Sequence, residues 1–79
     1  MRIDKFLKVS RIIKRRTLAN EICDKGRVLV NNKVVKAGYE VKVGDHVEIQ
    51  LPSRTVHVMI DRIVDNIPAN KASELFHEV

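Results

Sequence analysis

Seven of the first sixteen residues are lysine or arginine, and they are threaded through an apolar pattern of helical spacing. Each cation can donate charge-assisted hydrogen bonds to an anionic oxygen, and an arginine can bind a phosphate through two parallel N–H groups. A folded element with a dense positive face is well suited to contact a phosphate backbone. These residues therefore indicate binding of a polyanion by Arg2, Lys5, Lys8, Arg11, Lys14, Arg15 and Arg16.

The charge of the chain is divided between its two halves. Residues 1–36 contain eleven basic and three acidic residues, a net charge of +8, whereas residues 37–79 contain four basic and seven acidic residues, a net charge of −3. Most lysines and arginines simply face solvent, but this one-sided distribution favours a binding face. Weaker candidates for that face, since surface cations also serve solubility, are Lys8, Arg27, Lys33 and Lys36.

Residues that could carry catalysis or bind a metal are few. His46, His57 and His77 have no metal-ligand spacing, and the single cysteine, Cys23, lies on the apolar side of a predicted helix with no histidine near it in sequence. The three glycines form no phosphate-binding loop of the Walker or dinucleotide type. We therefore expect no enzyme, no cofactor and no metal ion.

The length of 79 residues indicates one small domain, which would bury roughly 60% of the surface that its unfolded chain exposes. An apolar fraction of 44% with three glycines and two prolines is typical of a chain that folds. The single cysteine excludes an internal disulfide, and the apolar runs are too short for a membrane span or a signal peptide. We expect a monomeric cytoplasmic protein without membrane contact.

The N-terminal third is predicted to form two short helices. Ile3, Phe6 and Leu7 have the i, i+3, i+4 spacing of one helical face. A second helix is predicted over residues 17–25, with Thr17 as its cap and Gly26 directly after its end. The side chains predicted to face inward from it are Leu18, Ala19, Ile22 and Cys23.

From Arg27 onward the pattern is typical of strands. Residues 28–30 and 34–35 flank a predicted hairpin turn at Asn31 and Asn32, and residues 47–51 and 56–60 alternate between apolar and polar side chains. The predicted fold class is α+β, with two short N-terminal helices packed on a small, mostly antiparallel sheet that contains a β-hairpin. Residues 1–62 are predicted to form the domain that carries this polyanion-binding face, and residues 63–79 a tail that is partly helical or mobile.

Four sequence blocks resemble a known family when their order and separation are considered together. They are Arg2-Ile3-Asp4-Lys5-Phe6-Leu7, Arg16-Thr17-Leu18-Ala19, Gly26-Arg27-Val28-Leu29-Val30-Asn31 and Val43-Gly44-Asp45. Over about residues 1–51 the chain resembles the S-four-type RNA-binding domain, which is named after small-subunit ribosomal protein four. Within that family, residues 1–8 and 13–19 resemble the ribosome-associated quality-control proteins of the RqcP type and the fifteen-kilodalton heat-shock proteins that bind the large ribosomal subunit.

The resemblance implies an RNA-binding protein of ribosome-associated quality control. It implies as partners the large ribosomal subunit with its ribosomal RNA, the P-site tRNA, and an RqcH-type tailing factor that adds C-terminal alanine residues to stalled chains. Arg16 stands at the motif arginine of the family and at the start of the second helix, where backbone N–H groups assist phosphate binding. Asp4 is expected to start the first helix or to hold a neighbouring arginine in place.

The chain differs from the general family pattern at three places. Arg15 stands where many members have a helix-capping serine, which adds positive charge and weakens the cap. Asn31-Asn32 replaces the usual Asn-Gly turn at some cost in backbone strain, and Ala37-Gly38 replaces a common proline-serine pair. None of these differences is expected to change the fold.

The three aromatic residues, Phe6, Tyr39 and Phe76, provide no platform for stacking successive bases. We therefore expect recognition of a structured RNA through its shape and backbone. Tyr39 is expected to be a loop or edge residue, and a stacking role is its lesser alternative. Three alternatives stay open: recycling of the large subunit without tailing, as in the heat-shock proteins; an accessory subunit that targets an RNA-modifying enzyme; and a nucleic-acid binder that acts by charge alone.

Overall fold

In the computed structural model, which describes all 79 residues, two α-helices precede the five strands of one sheet. The elements are α1 (Ile3–Val9), α2 (Arg16–Asp24), β1 (Val28–Val30), β2 (Lys33–Val34), β3 (His46–Gln50), β4 (Thr55–Ile60), a 3₁₀ helix (Ala69–Leu75) and β5 (Phe76–Glu78). The strand order is β2-β1-β3-β4-β5, and all neighbouring strands are antiparallel. The predicted α+β class is confirmed. None of the helices has the length and apolar character needed to cross a membrane.

The core lies between the helices and one face of the sheet. Ile3, Phe6 and Leu7 of α1 are fully buried, as their predicted spacing requires. The sheet contributes alternate residues that the strand register brings side by side, with Val47 of β3 opposite both Val30 of β1 and Val58 of β4. Burying an aliphatic side chain of this kind contributes roughly 1.5–3 kcal/mol before the entropic cost of ordering the chain. The helices are therefore held in place by the sheet.

The other face of the sheet carries all three histidines. His46 on β3 pairs in register with Met59 on β4, and Met59 pairs with His77 on β5. The ring centroids of His46 and His57 are 5.6 Å apart. No group of three or more histidine, cysteine, aspartate or glutamate side chains is arranged to hold a metal ion.

The ends of α2 show one confirmed and one wrong prediction. Gly26 follows the helix with φ +76°, and the N–H groups of Gly26 and Arg27 donate to the carbonyls of Cys23 and Ile22, which closes the helix as predicted. Thr17 is not the cap, because the helix begins one residue earlier, at Arg16. The N-cap is Arg15, whose side chain makes no capping hydrogen bond.

The predicted inward face of α2 is correct for two residues and wrong for Leu18. Ala19 and Cys23 are fully buried and Ile22 is half-buried, but Leu18 is 46% exposed. Ala19 and Cys23 take the positions that face the core, and Leu18 lies on the adjoining side of the helix, next to Lys14 and Arg15. The prediction of Leu18 as a core residue was therefore wrong, because the apolar stripe of α2 is narrower than its sequence indicates.

The turn between β1 and β2 forms as predicted. Asn31 and Asn32 have φ values of +51° and +69°, which the Asn-Asn pair adopts in place of Asn-Gly. The Asn31 side chain also ties the turn to β3, since its Oδ1 accepts from the His46 N–H at 3.0 Å and its Nδ2 donates to Asp45 at 3.1 Å.

The C-terminal residues join the same sheet. The tail that is predicted to be partly helical or mobile contains a 3₁₀ helix over Ala69–Leu75. β5, which follows it and pairs with β4, was not predicted. The Leu75 side chain is fully buried, and its carbonyl accepts from the N–H groups of Asp61 and Arg62. The division of the chain at residue 62 stays a prediction.

Candidate nucleic-acid interface

A buried carboxylate joins the two helices and lies between two of the predicted RNA-binding arginines, Arg2 and Arg16. The basic surface is the surface formed by these arginines and the other predicted RNA-binding residues. The Asp4 side chain, in the first turn of α1, is only 3% exposed. Its oxygens accept hydrogen bonds from the Arg2 guanidinium at 3.3 Å, from Arg16 Nη2 at 3.3 Å and from Asn20 Nδ2 at 3.3 Å. The Lys5 backbone N–H donates to Asp4 Oδ1 at 2.8 Å. Asp4 therefore holds Arg2, which precedes α1, and Arg16, which begins α2, close to each other.

The electrostatics of Asp4 follow from these contacts. Burial, the strongest single influence, raises the pKa of the carboxyl, but the hydrogen bonds from Asn20 and Arg16 and the charges of Arg16 and Arg2 together outweigh it. The pKa of Asp4 therefore lies below its ordinary value of 3.8, and the group is ionised at neutral pH.

Arg2 and Arg16 keep donors free for a ligand. Their side chains are 48% and 47% exposed, and each guanidinium has five N–H donors, of which Asp4 uses only part. Two positive charges beside one negative charge leave a net positive site, and Asp4 fixes the direction in which the remaining donors point. A groove of about 410 Å³ opens at this point, lined by Asp4, Arg16, Thr17, Asn20 and Glu21. Glu21 gives the groove a negative side.

The start of α2 adds a second positive region. The first N–H groups of an α-helix have no partner within the helix, and Arg15 supplies no side-chain oxygen to accept from them. A neighbouring groove of about 400 Å³ is lined by Lys14, Arg15, Thr17, Leu18 and Glu21. Helix N–H groups, the helix dipole and three consecutive basic side chains thus all favour an anion here.

The other predicted RNA contacts lie around this centre at varying distance. Lys5 forms an ion pair with Asp65, since its Nζ lies 3.2 Å from Asp65 Oδ1. Lys8 in the last turn of α1 and Arg11 in the following loop make no ion pair; Arg11 has φ +65°, a left-handed conformation. Arg27 lines a separate groove together with Leu18, Ile22, Lys25 and residues 50–52. Lys33 and Lys36 lie on the hairpin side, beside Tyr39.

Sequence reasoning missed Asn20, which completes the cluster. Asn20 is four residues after Arg16 and therefore on the same face of α2, a spacing that could have indicated it. The contact between Lys5 and Asp65 had no sequence signal, because the two residues are sixty positions apart. The expectation that Asp4 holds a neighbouring arginine is confirmed, and it holds two.

The geometry defines a small α+β domain with a positive face organised by one buried carboxylate, and comparison with known proteins gives its family. The S4 domain model matches residues 1–47, and the chain belongs to the S4 domain family. It is 50% identical over 76 residues to the protein named RQC P-site tRNA stabilizing factor of Halalkalibacterium halodurans, covering 96% of this chain and 86% of that protein.

Two further likenesses bear on the range of functions. The trimeric structure of Vibrio cholerae Heat Shock Protein 15 superposes with a TM-score of 0.93 at 28% identity, covering 100% of this chain and 81% of that chain. An uncharacterized RNA pseudouridine synthase of Aquifex aeolicus is 43% identical over 65 residues, but the match covers only 27% of that enzyme. The family thus includes both small relatives and parts of larger enzymes.

Proposed function

We propose that this protein is a cytoplasmic RNA-binding factor of ribosome-associated quality control. It binds an obstructed large ribosomal subunit through ribosomal RNA and steadies the P-site tRNA, so that an RqcH-type partner can add C-terminal alanine residues to the stalled chain. Its role is binding and not catalysis. The observation that carries the proposal is the cluster in which Asp4 holds Arg2 and Arg16, within a surface of strong positive charge. The printed name of the relative at 50% identity, a P-site tRNA stabilizing factor, supports the particular RNA.

The proposed contacts centre on Arg2 and Arg16. A guanidinium held by a carboxylate loses less side-chain freedom on binding phosphate, so the pre-ordered pair binds at a lower entropic cost than free side chains would. The remaining basic residues add charge and extend the contact along the RNA backbone. They are Lys5, Lys8, Arg11, Lys14, Arg15, Arg27, Lys33 and Lys36. We also propose that residues 1–62 are the RNA-binding unit and that the protein acts as a monomer.

Sedimentation of cell extract through a sucrose gradient tests the proposal. Tagged wild type, Arg16→Glu and Lys71→Glu are compared, and fractions are probed for the protein and for peptidyl-tRNA. Lys71 is exposed in the C-terminal half and serves as the control for an added negative charge. We expect wild type and Lys71→Glu to travel with large subunits that carry peptidyl-tRNA, and Arg16→Glu to stay at the top. If all three proteins stay at the top, the ribosomal function is wrong.

The likeness to Heat Shock Protein 15 favours a second candidate function, recycling of large subunits without tailing. The two functions differ in the fate of the stalled chain. If deletion of the gene abolishes C-terminal alanine on a stalled reporter chain, the tailing role is supported. If the alanine content is unchanged while peptidyl-tRNA accumulates on large subunits, the recycling role is the better account.

A further inference from the structure

A second groove lies on the hairpin side of the basic surface. It has a volume of about 390 Å³ and is lined by Val30, Lys33, Val34, Val35, Lys36 and Tyr39. Volumes of roughly 300–1,000 Å³ are usual for sites that hold small ligands. Val30 and Val35 are buried and form its floor, whereas Val34 is 59% and Tyr39 40% exposed. The groove therefore offers an apolar surface to solvent.

The chemistry of the lining fits a nucleotide. A nucleobase needs an apolar surface and an aromatic face for stacking, which the valines and Tyr39 offer, and its phosphates need cations, which Lys33 and Lys36 offer at the same groove. No acidic residue lines the groove. An apolar protein segment would find the valines equally suitable but would leave both ammonium groups without a counter-charge.

The loop that carries Tyr39 connects this groove to the start of α1 and to Arg2. The Tyr39 carbonyl accepts from the Ile3 N–H at 2.7 Å, which fixes Tyr39 beside the start of α1. The Arg2 side chain packs over the same loop, since a Cβ added at Gly38 would lie 3.9 Å from Arg2 Nε and Cζ. Arg2 thus lies between Asp4 and the groove. Because Gly38 directly precedes Tyr39, Arg2 and Tyr39 lie close enough for neighbouring nucleotides of one RNA to contact both.

We propose that this groove binds the base of an unpaired nucleotide that projects from a structured RNA. The base stacks on Tyr39 and covers the exposed valine surface, while Lys33 and Lys36 pair with the flanking phosphates. This site rests on the proposed function in requiring an RNA ligand, and it adds to backbone contacts a preference for RNA with an extruded base. The sequence favours a loop or edge position for Tyr39 and leaves a stacking role as the lesser alternative; this proposal gives Tyr39 that stacking role.

Two RNA hairpins that differ by one base test this site. Both have the same stem with a single bulged nucleotide, which is adenosine in one hairpin and an abasic nucleotide in the other, so shape and charge are matched. Binding is measured by fluorescence anisotropy of labelled RNA with the whole 79-residue protein. We expect wild type to bind the adenosine bulge at least about fivefold more tightly, the lower end of the effect of one stacked base.

Two substitutions then assign the preference to Tyr39. Tyr39→Phe keeps the aromatic face and should keep the preference for the adenosine bulge. Tyr39→Ala should bind both hairpins with the affinity that wild type has for the abasic one. The comparison of the two hairpins with wild type needs no variant, so equal binding of the two overturns the site even if Tyr39→Ala does not fold.

The outcomes separate this site from the proposed function. If wild type binds the two hairpins equally and Arg16→Ala weakens both, the base-binding groove is wrong and backbone binding stands. A preference that Tyr39→Ala retains places the base elsewhere and also overturns the assignment. If wild type prefers the adenosine bulge and Tyr39→Ala abolishes this preference, while Arg16→Ala changes neither affinity, the groove stands and the proposed contact of Arg16 is wrong. If wild type binds neither hairpin, both the groove and the proposed RNA-binding surface are wrong.

Discussion

Asp4 is the residue on which the geometry of the basic surface depends. Its carboxylate lies between Arg2 and Arg16, and Asn20 supplies a further hydrogen bond, so a buried negative charge is compensated on three sides. A carboxylate at this depth would be costly without those partners. The acidic residue in the middle of a basic surface therefore positions the cations that a polyanion would contact.

Replacing Asp4 by asparagine keeps the shape and removes the charge. We expect Asp4→Asn to lower the free energy of unfolding at about pH 7 by about 1–2 kcal/mol. This is the lower part of the usual cost of removing one partner of a buried, charged hydrogen bond, because both arginines are half exposed. Urea unfolding measures the loss. We also expect weaker RNA binding, since Arg2 and Arg16 are no longer held.

The same variant has a defined pH dependence. The pKa of Asp4 is lower in the folded protein than its ordinary value of 3.8, so the folded state binds this proton less readily than the unfolded state. The stabilisation is complete above 3.8 and is lost as the pH falls through the folded pKa. The difference in stability between wild type and Asp4→Asn should therefore shrink in acid. A difference that is the same at about pH 6 and about pH 3 would show that the charge of Asp4 contributes nothing.

Cys23 should be inert while the protein is folded. Burial raises the pKa of its thiol to about 11, with further contributions from the charges of Asp4 and Asp24, so almost none is thiolate at about pH 8. We expect a chromogenic disulfide reagent to label the native protein only at the rate of local or global opening, and to label it promptly in denaturing urea. Prompt labelling of the native protein would contradict the burial of Cys23 on the core-facing side of α2.

At the scale of elements, the sequence predicted what local patterns determine. The i, i+3, i+4 spacing of α1, the stop at Gly26 and the turn at Asn31 and Asn32 are each specified by neighbouring residues. β5 escaped prediction because only its pairing with β4, close to twenty positions away in sequence, makes it a strand. Asp65 was missed for a related reason, because its contact with Lys5 joins residues sixty positions apart.

The 3₁₀ helix and β5 should depend on Leu75. Its side chain is fully buried, so Leu75→Ala should lower the free energy of unfolding by about 2–5 kcal/mol, as is usual for truncation of a core leucine. Leu18→Ala removes the same atoms at a position that is 46% exposed and should cost far less. Thermal unfolding of both variants compares them directly. Equal losses would contradict the packing of the C-terminal residues against the sheet.

The two asparagines of the hairpin turn should respond in opposite directions to glycine. Asn32 has φ +69°, and glycine adopts this conformation without steric cost, so Asn32→Gly should stabilise the protein by a few tenths to about 1 kcal/mol. Asn31→Gly should destabilise it, because the bonds of the Asn31 side chain to His46 and Asp45 are lost. Chemical denaturation measures the free energy of unfolding of both variants. If Asn31→Gly stabilises the protein, the hydrogen bonds of the Asn31 side chain do not contribute to its stability.

At the scale of the whole molecule, positive and negative charge are separated along the chain as the sequence indicates. Which of the basic residues lie together could not be predicted from composition. The eleven basic residues of positions 1–36 are spread over several regions, and only the fold shows that Arg2 and Arg16 meet at Asp4 while Lys5 is drawn toward Asp65. The fold also brings Lys33, Lys36 and Tyr39 to one groove that adjoins Arg2. Which cations act together is therefore a property of the tertiary structure.

The salt dependence of binding to purified large ribosomal subunits tests the central claim most directly. Labelled wild type, Arg16→Ala and Lys71→Ala are titrated over a series of salt concentrations, and the logarithm of affinity is plotted against the logarithm of salt concentration. Each phosphate contact contributes roughly 0.7–0.9 to the slope. We predict that Arg16→Ala flattens the slope by at least about this amount and that Lys71→Ala leaves it unchanged. A slope for Arg16→Ala equal to that of wild type would contradict a direct contact between Arg16 and RNA.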